Sequence, residues 1–317
     1  RPAAPCRPVT HYAPHMGADV VSVVCCGLTT LDVVQVVDRL PGPDEKLTAV
    51  AFFDDAGGPA ANAAATASAL GAEATLVTSL GTEPIGRLAR ELLDDAEVDV
   101  IDLGGVGATV STVLVNRTTG QRAVVSTKDQ YSNPDYRLEG AELDGADVLL
   151  VDGHHMDVAL ALAQAASRAG VPVVLDGGSW KPRTEELMMY VDYAAVSSAF
   201  SLPSGDEPLG ALADMGCRFV AQTRGPDSIL VLADGVRREV PVAAITAARV
   251  VDTLGAGDVL HGALATLVAH HGRYLPFVEM MRRAAAIATE SCHHRGARGW
   301  AQLPRITASL QQLVIEG

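Results

Sequence analysis

The stretch Asp252-Thr253-Leu254-Gly255-Ala256-Gly257-Asp258 brings small residues and one carboxylate to the start of a helix-like run over residues 259–269. Gly255 and Gly257 carry no Cβ, so the backbone can approach an anion closely there. With Ala256 they present N–H groups that can converge on one oxyanion, and the helix dipole reinforces them. A carboxylate at Asp258 repels an anion and is out of place in a loop that only binds one. It fits a site where it accepts a proton from an attacking hydroxyl while a phosphoryl group is transferred. An Asp that caps a helix beside a tight Gly turn accounts for the same residues, so this segment alone leaves both readings open.

A second segment, Gly57-Gly58-Pro59-Ala60-Ala61-Asn62, opens the first long helix-like run. A Gly pair exposes backbone N–H groups toward a polar ligand. The Asn62 amide both donates and accepts, as sugar hydroxyls require. Asp32 follows the first strand-like run by a few residues, which in an open parallel sheet is the edge where ligands bind. Taken singly, a helix-capping Gly pair and a solvated Asp explain these residues as well. The sequence has no GxxxxGK[ST] loop, no GxGxxG after its first strand and no His-Arg-Asp catalytic loop. A P-loop enzyme, a nicotinamide dehydrogenase and a protein kinase are thereby disfavoured.

Composition narrows the class further. The 317 residues are 48% hydrophobic but only 4% aromatic, so a large core can form and must rest on Ala, Val and Leu. A net charge of −14 without a Lys/Arg block speaks against nucleic-acid and anionic-membrane partners. An anionic cosubstrate then needs a local site of backbone N–H groups, a few cations and a metal. The five cysteines form no CxxC pair, which speaks against a disulfide framework and for a reducing cytoplasm. Cys25 and Cys26 close an apolar run and read as buried strand residues. No run approaches the ~18 apolar residues that span a membrane. Residues 1–18 hold Pro, His and Arg and no apolar core, and read as a flexible leader rather than a signal peptide.

A scaffold must hold these groups together. Strand-like runs lie near residues 19–26, 74–79, 148–151, 171–175, 193–197 and 218–223. Helix-like runs lie near 60–70, 85–95, 157–169, 185–190 and 209–215. The alternation predicts an α/β fold: a doubly wound, mainly parallel sheet flanked by helices on both faces. Two regions break the rhythm. One is residues 46–55. The other is residues 108–128, where two strand-like runs flank Asn116-Arg117-Thr118-Thr119-Gly120, a hairpin turn. They predict a small separate β-sheet acting as a lid, or else a pair of surface hairpins. The expected organisation is one domain over residues 19–317 with these lid strands inserted.

Together the segments resemble the PfkB, or ribokinase-like, carbohydrate kinase family. The likeness rests on Gly57-Gly58-Pro59-Ala60-Ala61-Asn62-Ala63-Ala64, continuing at the family spacing to Gly71, and on Asp252 to Asp258, continuing through Gly262-Ala263. Order and separation match too, and the resemblance runs from about residue 20 to the C-terminus. The N-terminal half is similar to ketohexokinase in Gly27-Leu28-Thr29-Thr30-Leu31-Asp32-Val33, in Thr112-Val113-Leu114-Val115-Asn116 and in Lys181-Pro182-Arg183. The resemblance implies a ribokinase-like fold with a β-sheet lid, and ATP-dependent phosphorylation of a hydroxyl on a free sugar or sugar-like molecule. It implies ATP and Mg²⁺, and is compatible with a monovalent cation and with a homodimer through the lid. Carried over by position, Asp258 is the general base and Gly255, Ala256 and Gly257 form the anion hole. Asp32, Gly58 and Asn62 bind substrate hydroxyls, and Arg122 reaches from the lid toward substrate or phosphate. Thr223 and Gly225 flank the nucleotide, with Asp252 and Lys181 as further ATP contacts.

Three departures stand out. Where the family places Asn-x-x-Glu to organise Mg²⁺ through water, this chain reads Ser197-Ser198-Ala199-Phe200, so the metal ligands stay unknown. The nucleotide turn reads Thr223-Arg224-Gly225-Pro226, where a second Gly is more usual. Pro59 replaces a polar side chain of ketohexokinase and removes one hydroxyl contact. Among lesser candidates, His154 and His155 follow a strand and one of them could line the sugar pocket. Lys181 reads as a phosphate contact or a solvated Lys, and His293, His294 and Arg295 suit a helix end. Trp180 and Trp300 read as packing or as ring covers. A nucleoside kinase needs an aromatic on which a base stacks, for which Phe52, Phe53 and Tyr131 are the lid candidates. A non-catalytic sugar or nucleotide sensor has no use for Asp258.

Overall fold

The computed structural model describes residues 20–316 except 106, 120, 128–132, 134, 135, 140, 141, 247, 248 and 273. The expected leader therefore lies outside the described residues, as do Tyr131 and the last residue of the second lid region, Lys128. The chain runs β1 (Ser22–Cys26), β2 (Thr30–Val37), β3 (Ala51–Gly57), α1 (Pro59–Ala69), β4 (Glu73–Thr78), α2 (Pro84–Asp94) and β5 (Val98–Asp102). It continues with β6 (Thr109–Asn116), β7 (Arg122–Ser126), β8 (Val148–Val151), α3 (Met156–Ala169), β9 (Val173–Gly177), α4 (Thr184–Met188), β10 (Tyr193–Val196) and α5 (Pro208–Asp214). Strands β11 (Phe219–Arg224), β12 (Asp227–Ala233) and β13 (Val236–Val240) precede the helices α6 (Ala256–His271), α7 (Phe277–Ser291) and α8 (Pro304–Ile315).

The large sheet has the order β13-β12-β11-β10-β9-β8-β1-β4-β5. It is parallel from β5 to β11, and β12 and β13 add an antiparallel ribbon at one edge. Its strands read as unbroken apolar runs because both faces are covered. Successive side chains go to opposite cores. Val23, Cys25, Leu150, Val174 and Ala195 join the core under α1, α6, α7 and α8. Val24, Cys26, Leu149, Val173 and Ala194 join the core under α3, α4 and α5. Cys25 and Cys26 are thus buried on opposite faces, and neither is in a disulfide. Strand β1 pairs with β4 on one side and β8 on the other. The strand order reverses there, so the C-terminal ends of β1 and β8 mark the crevice where such sheets bind ligands.

A separate four-stranded sheet has the order β3-β2-β6-β7. The sequence pattern identified its second half and most of β3, but two details differ. Residues 46–50 are not strand; β3 begins at Ala51 and runs through Gly57. Residues 30–37 form the long β2, paired antiparallel with β3 and parallel with β6. Asp32 therefore sits on the lid and not at the edge of the main sheet. The reason lies in the chain's exit from the large sheet at Gly27. From Thr30 its period-2 pattern finds partners in β3 and β6, so the residues after the first strand belong to the other layer.

The site's geometry depends on how α1 and α6 meet. Both are rich in Ala, and Gly262 lies where they touch. A Cβ at Gly262 would stand 2.4 Å from the Ala63 carbonyl oxygen and 2.8 Å from the Thr66 Cβ. Residue 262 has no room for a methyl group unless the helices part. Gly262→Ala is expected to destabilise the fold by roughly 1–3 kcal/mol through overpacking. The urea midpoint of the purified variant measures this, and an unchanged midpoint would show that the helices separate without cost.

Candidate active site

The two motif segments converge. Helix α6 begins at Ala256, and Gly255 is its N-cap residue with φ 73°. That left-handed conformation suits glycine and turns the chain sharply into the helix. The first-turn N–H groups have no helical acceptor before them; that of Ala256 donates to the Thr253 carbonyl at 3.4 Å, and of the three loop residues Gly255 lines the cavity. Asp258 stands in the same turn. Its Oδ2 accepts a 2.7 Å hydrogen bond from Asn62 Nδ2 on α1. Asn62 is 8% exposed, so its amide is fixed, while Asp258 is half-buried with one side toward the cavity. Desolvation by the surrounding protein, followed by the negative charge of Asp176, pushes the Asp258 carboxyl up to about 7. Asn62 and His261 pull it the other way.

A cavity of about 880 Å³ lies between this helix start and the inner face of the lid. Alternate residues of the lid strands supply most of its wall: Thr30, Asp32, Val34 and Val36 from β2, Phe53, Asp55 and Gly57 from β3, Ser111 and Val115 from β6, and Arg122 and Ser126 from β7. Register explains the set. Asp32 stands opposite Asp55 and Ser111, and Val115 stands opposite Arg122. Along β2 the wall changes from polar at Thr30 and Asp32 to apolar at Val34 and Val36, and Asn116, Arg117, Thr118, Thr119 and Arg122 add polar groups beyond them. Asp32 Oδ1 accepts a 2.6 Å bond from Thr30 Oγ1, and burial raises its carboxyl above the usual range. Gly57 makes room for that carboxylate, because a Cβ there would meet Asp32 Oδ2 at 2.1 Å.

Arg298 is a functional candidate that the sequence reading missed. It forms an ion pair with Asp55 and donates to the Leu92 carbonyl at 3.1 Å. Desolvation lowers its guanidinium to about 10, and the Asp32 charge opposes that. One buried cation thus serves two lid acids. Only its position after the loop that follows α7 brings it there, and no motif marks it. Asp152 was missed as well. At the end of β8 its carboxylate accepts from the N–H groups of Leu28, Ala60 and His154 at 2.9, 3.2 and 2.8 Å. It ties the exit of β1 to the start of α1. An Asp directly after an apolar strand is the signal that could have flagged it.

The remaining candidates separate into those that reach the cavity and those that do not. Gly58 is the N-cap residue of α1 and lines the cavity. Arg122 also lines it, donating to Thr253 Oγ1 at 2.8 Å and lying 3.4 Å from Asp252. Asp252 is occupied in shaping the loop: its oxygens accept from Leu254 N at 2.9 Å and Gly296 N at 3.1 Å. Thr223, Gly225 and Lys181 lie outside the cavity walls. Lys181 is not merely solvated, since its Nζ donates to the Asp152 carbonyl at 3.1 Å. Phe53 lines the cavity beneath the Arg295 guanidinium, 5.6 Å from the ring centre. Phe52 is exposed, and neither His154 nor His155 lines the cavity. Trp300 is buried core, and Trp180 packs against Phe200.

An anion-receptive helix start, a held carboxylate and a hydroxyl-rich lid face fit phosphoryl transfer to a polyol. A model of the pfkB family of carbohydrate kinases matches residues 21–303. The chain belongs to that family. This PfkB kinase is an ATP-dependent phosphotransferase acting on a carbohydrate. It is 30% identical to an ATP-dependent ribose-1-phosphate kinase of Halopiger xanaduensis, over 75% of this chain and 81% of that one. It is 25% identical to the ribokinase of Mus musculus, over 90% and 93% of the two chains. A structure of Arabidopsis thaliana ribokinase complexed with ribose and ATP shares the fold, with a TM-score of 0.74 at 23% identity, covering 94% of this chain and 100% of that one. No helix of the described residues is long and apolar enough to cross a membrane.

The raised carboxyl of Asp258 links to stability. Because its folded-state value of about 7 lies above the ordinary 3.8, the fold favours the protonated form. Stability from this group is complete at acid pH and is lost as pH rises through about 7. Asp258→Asn removes the ionisation. The variant is expected to resist urea better than the native chain at about pH 8, with the gain vanishing near pH 4. An Asn variant less stable at the higher pH would contradict this account of the site.

Proposed function

We propose that this kinase transfers the γ-phosphoryl group of ATP to a hydroxyl of a free sugar, ketohexose-like or ribose-like, or of a close polyol. The sugar lies between the start of α6 and the inner face of the lid. The observation that carries the reading is the Asn62–Asp258 pair, a carboxylate held at 2.7 Å in the first turn of a helix that opens onto the cavity. Asp258 accepts the proton of the attacking hydroxyl. The N–H groups around Gly255, Ala256 and Gly257 receive the charge on the phosphoryl group. Asp32, Gly58 and Asn62 bind sugar hydroxyls, and Arg122 meets the substrate or the phosphate from β7. Thr223 and Gly225 flank the nucleotide outside the cavity, with Lys181 nearby. Lid closure excludes water and suppresses ATP hydrolysis.

Among the described residues no group of three or more His, Cys, Asp or Glu side chains could hold a metal ion. Mg²⁺ in this reading arrives with ATP, held by phosphate oxygens and water, as is usual for that cation. A monovalent cation is a further part of the proposal, supported by the family resemblance. On the edge strand β7, Val124 and Val125 are exposed; a homodimer through the lid would cover such apolar side chains. Cysteines buried without a disulfide among the described residues suit a reducing cytoplasm.

A second reading, a sugar that already carries an anionic group, is favoured by Arg295. Its guanidinium lines the cavity over Phe53 and has no acidic partner among the described residues. The named activity of the Halopiger relative points the same way.

Two outcomes test the mechanism and the substrate class. Asp258→Asn should lower kcat by ~10²–10⁴ with ATP binding retained. In the native enzyme kcat/KM should fall as pH drops through about 7, where Asp258 takes up its proton. A folded Asn variant with near-native kcat would sink the base assignment. Separately, Asp32→Ala should raise the KM for a free sugar much more than that for ATP, because the remaining polar groups lose their partner. Kinetics with free sugars, sugar monophosphates and adenosine side by side decide between the readings. A native preference for a sugar phosphate selects the second, and a preference for adenosine overturns both.

A further inference from the structure

Behind Asp258 lies a second set of ionisable groups that faces away from the cavity. His261 stands one helical turn beyond Asp258 on α6 and is 5% exposed. Asp176, in the C-terminal half of β9, is 4% exposed. His261 Nδ1 lies 3.2 Å from Asp176 Oδ2. His261 Nε2 lies 2.9 Å from the carbonyl oxygen of Ala195 in β10. The Nδ1–Oδ2 approach is out of line for an ideal hydrogen bond, yet neither atom has another hydrogen-bond partner among the described residues.

The hydrogen count follows from what each group can do. A carbonyl oxygen only accepts, so Nε2 carries a hydrogen. An ionised carboxylate also only accepts, so the contact at Nδ1 needs a hydrogen on one atom or the other. The pair therefore holds one proton beyond those of a neutral imidazole and an ionised carboxylate, and its net charge is zero. A bare imidazole nitrogen facing a bare carboxylate oxygen in this dry interior would be repelled.

The charges around the pair come from every packed element. Asp258 precedes it on α6. Asp152 at the end of β8 and the Cys25 thiol of β1 lie on the sheet side; burial first, then the Asp152 and Asp176 charges, push that thiol well up. Lys181 and His154 act on Asp176 with positive charge. Among the described residues, Asn62 of α1 supplies the direct side-chain bond to Asp258. Three carboxylates thus crowd one sheet edge, and His261 is the imidazole placed between the deepest of them and the helix that carries Asp258.

We propose that His261 and Asp176 share a buried proton and act as a positioning pair for Asp258. The imidazole ties the first turns of α6 to β9 and β10. It also screens Asp258 from the Asp176 carboxylate, so that Asp258 is ionised near neutral pH. This rests on Asp258 being the general base. The opposed effects of Asp176, which raises the Asp258 carboxyl, and of His261, which lowers it, agree with the geometry.

The test is the pH profile of kcat/KM for the native enzyme, His261→Asn, Asp176→Asn and the double variant, with ATP and the best sugar of the substrate panel. His261→Asn should move the acid limb to higher pH and Asp176→Asn to lower pH, each by about 1 unit, and the double variant should return toward the native position. A residue that only fills space lowers kcat without moving the limb, so limbs that stay put, or that move together, overturn the proposal. Should a variant fail to fold, ¹⁵N NMR of the His261 ring in the native chain decides. A ring whose ¹⁵N shifts show Nε2 protonated and Nδ1 in a proton-sharing hydrogen bond supports the shared proton, and a neutral ring with the shift of a bare, unshared Nδ1 overturns it. That signal is read without turnover, so it stands even if Asp258→Asn proves active and the base reading falls.

Discussion

Everything at the site depends on one contact, the close approach of α1 to α6. Small side chains and the bare Gly262 let the two helices touch backbone to side chain. Only at that separation can a short amide on α1 reach a short carboxylate on α6. The resulting Asn62–Asp258 bond spans nearly two hundred residues of sequence and closes at 2.7 Å. The Ala-rich composition, which looks unremarkable as a string, is thus a geometric condition for the proposed chemistry. Larger side chains would still bury apolar surface, but the helices would stand too far apart for this pair.

The second constraint is charge. The chain is acidic throughout, and its ligand edge gathers Asp152, Asp176 and Asp258, with Asp32 and Asp55 on the lid above. Each is stabilised in its own way. Asp152 is held by three backbone N–H groups, Asp176 by His261, and the lid acids by Arg298. Asp258 has one direct donor among the described residues, and burial together with the Asp176 charge raises its carboxyl. A group poised near neutrality is suited to accept a proton and later release it. Asp152, with its three backbone donors, serves as framework.

The lid shows how a period-2 pattern divides labour. Alternate residues of β2 face the cavity, polar at Thr30 and Asp32 and apolar at Val34 and Val36. The same strand then presents polar side chains at one end of the cavity and apolar ones at the other. Arg298 joins the lid to the body of the fold through Asp55. The position of the lid is therefore coupled to the segment after α7, which also shapes the loop before Gly255 through Asp252 and Gly296.

The sequence by itself determined the α/β class, the strand and helix rhythm and the two motif segments, and it marked two strand regions outside the rhythm that the structure joins into one small sheet. These are local properties: hydrophobic period, glycine at sharp turns, a carboxylate at a helix start. It also pointed to Asp32, Asn62, Asp258 and Arg122, all of which line the cavity between the start of α6 and the lid. The tertiary structure alone decided that Asp32 rides on the lid, because a strand's partners are chosen by residues far away in the chain. It alone brought Arg298 to the lid acids, Asp152 beneath α1 and His261 against Asp176. Apart from the place of Asp152 at the end of an apolar strand, none of these pairings leaves a local trace, since a lone His, Arg or Asp acquires its meaning only from the charge that folding places next to it.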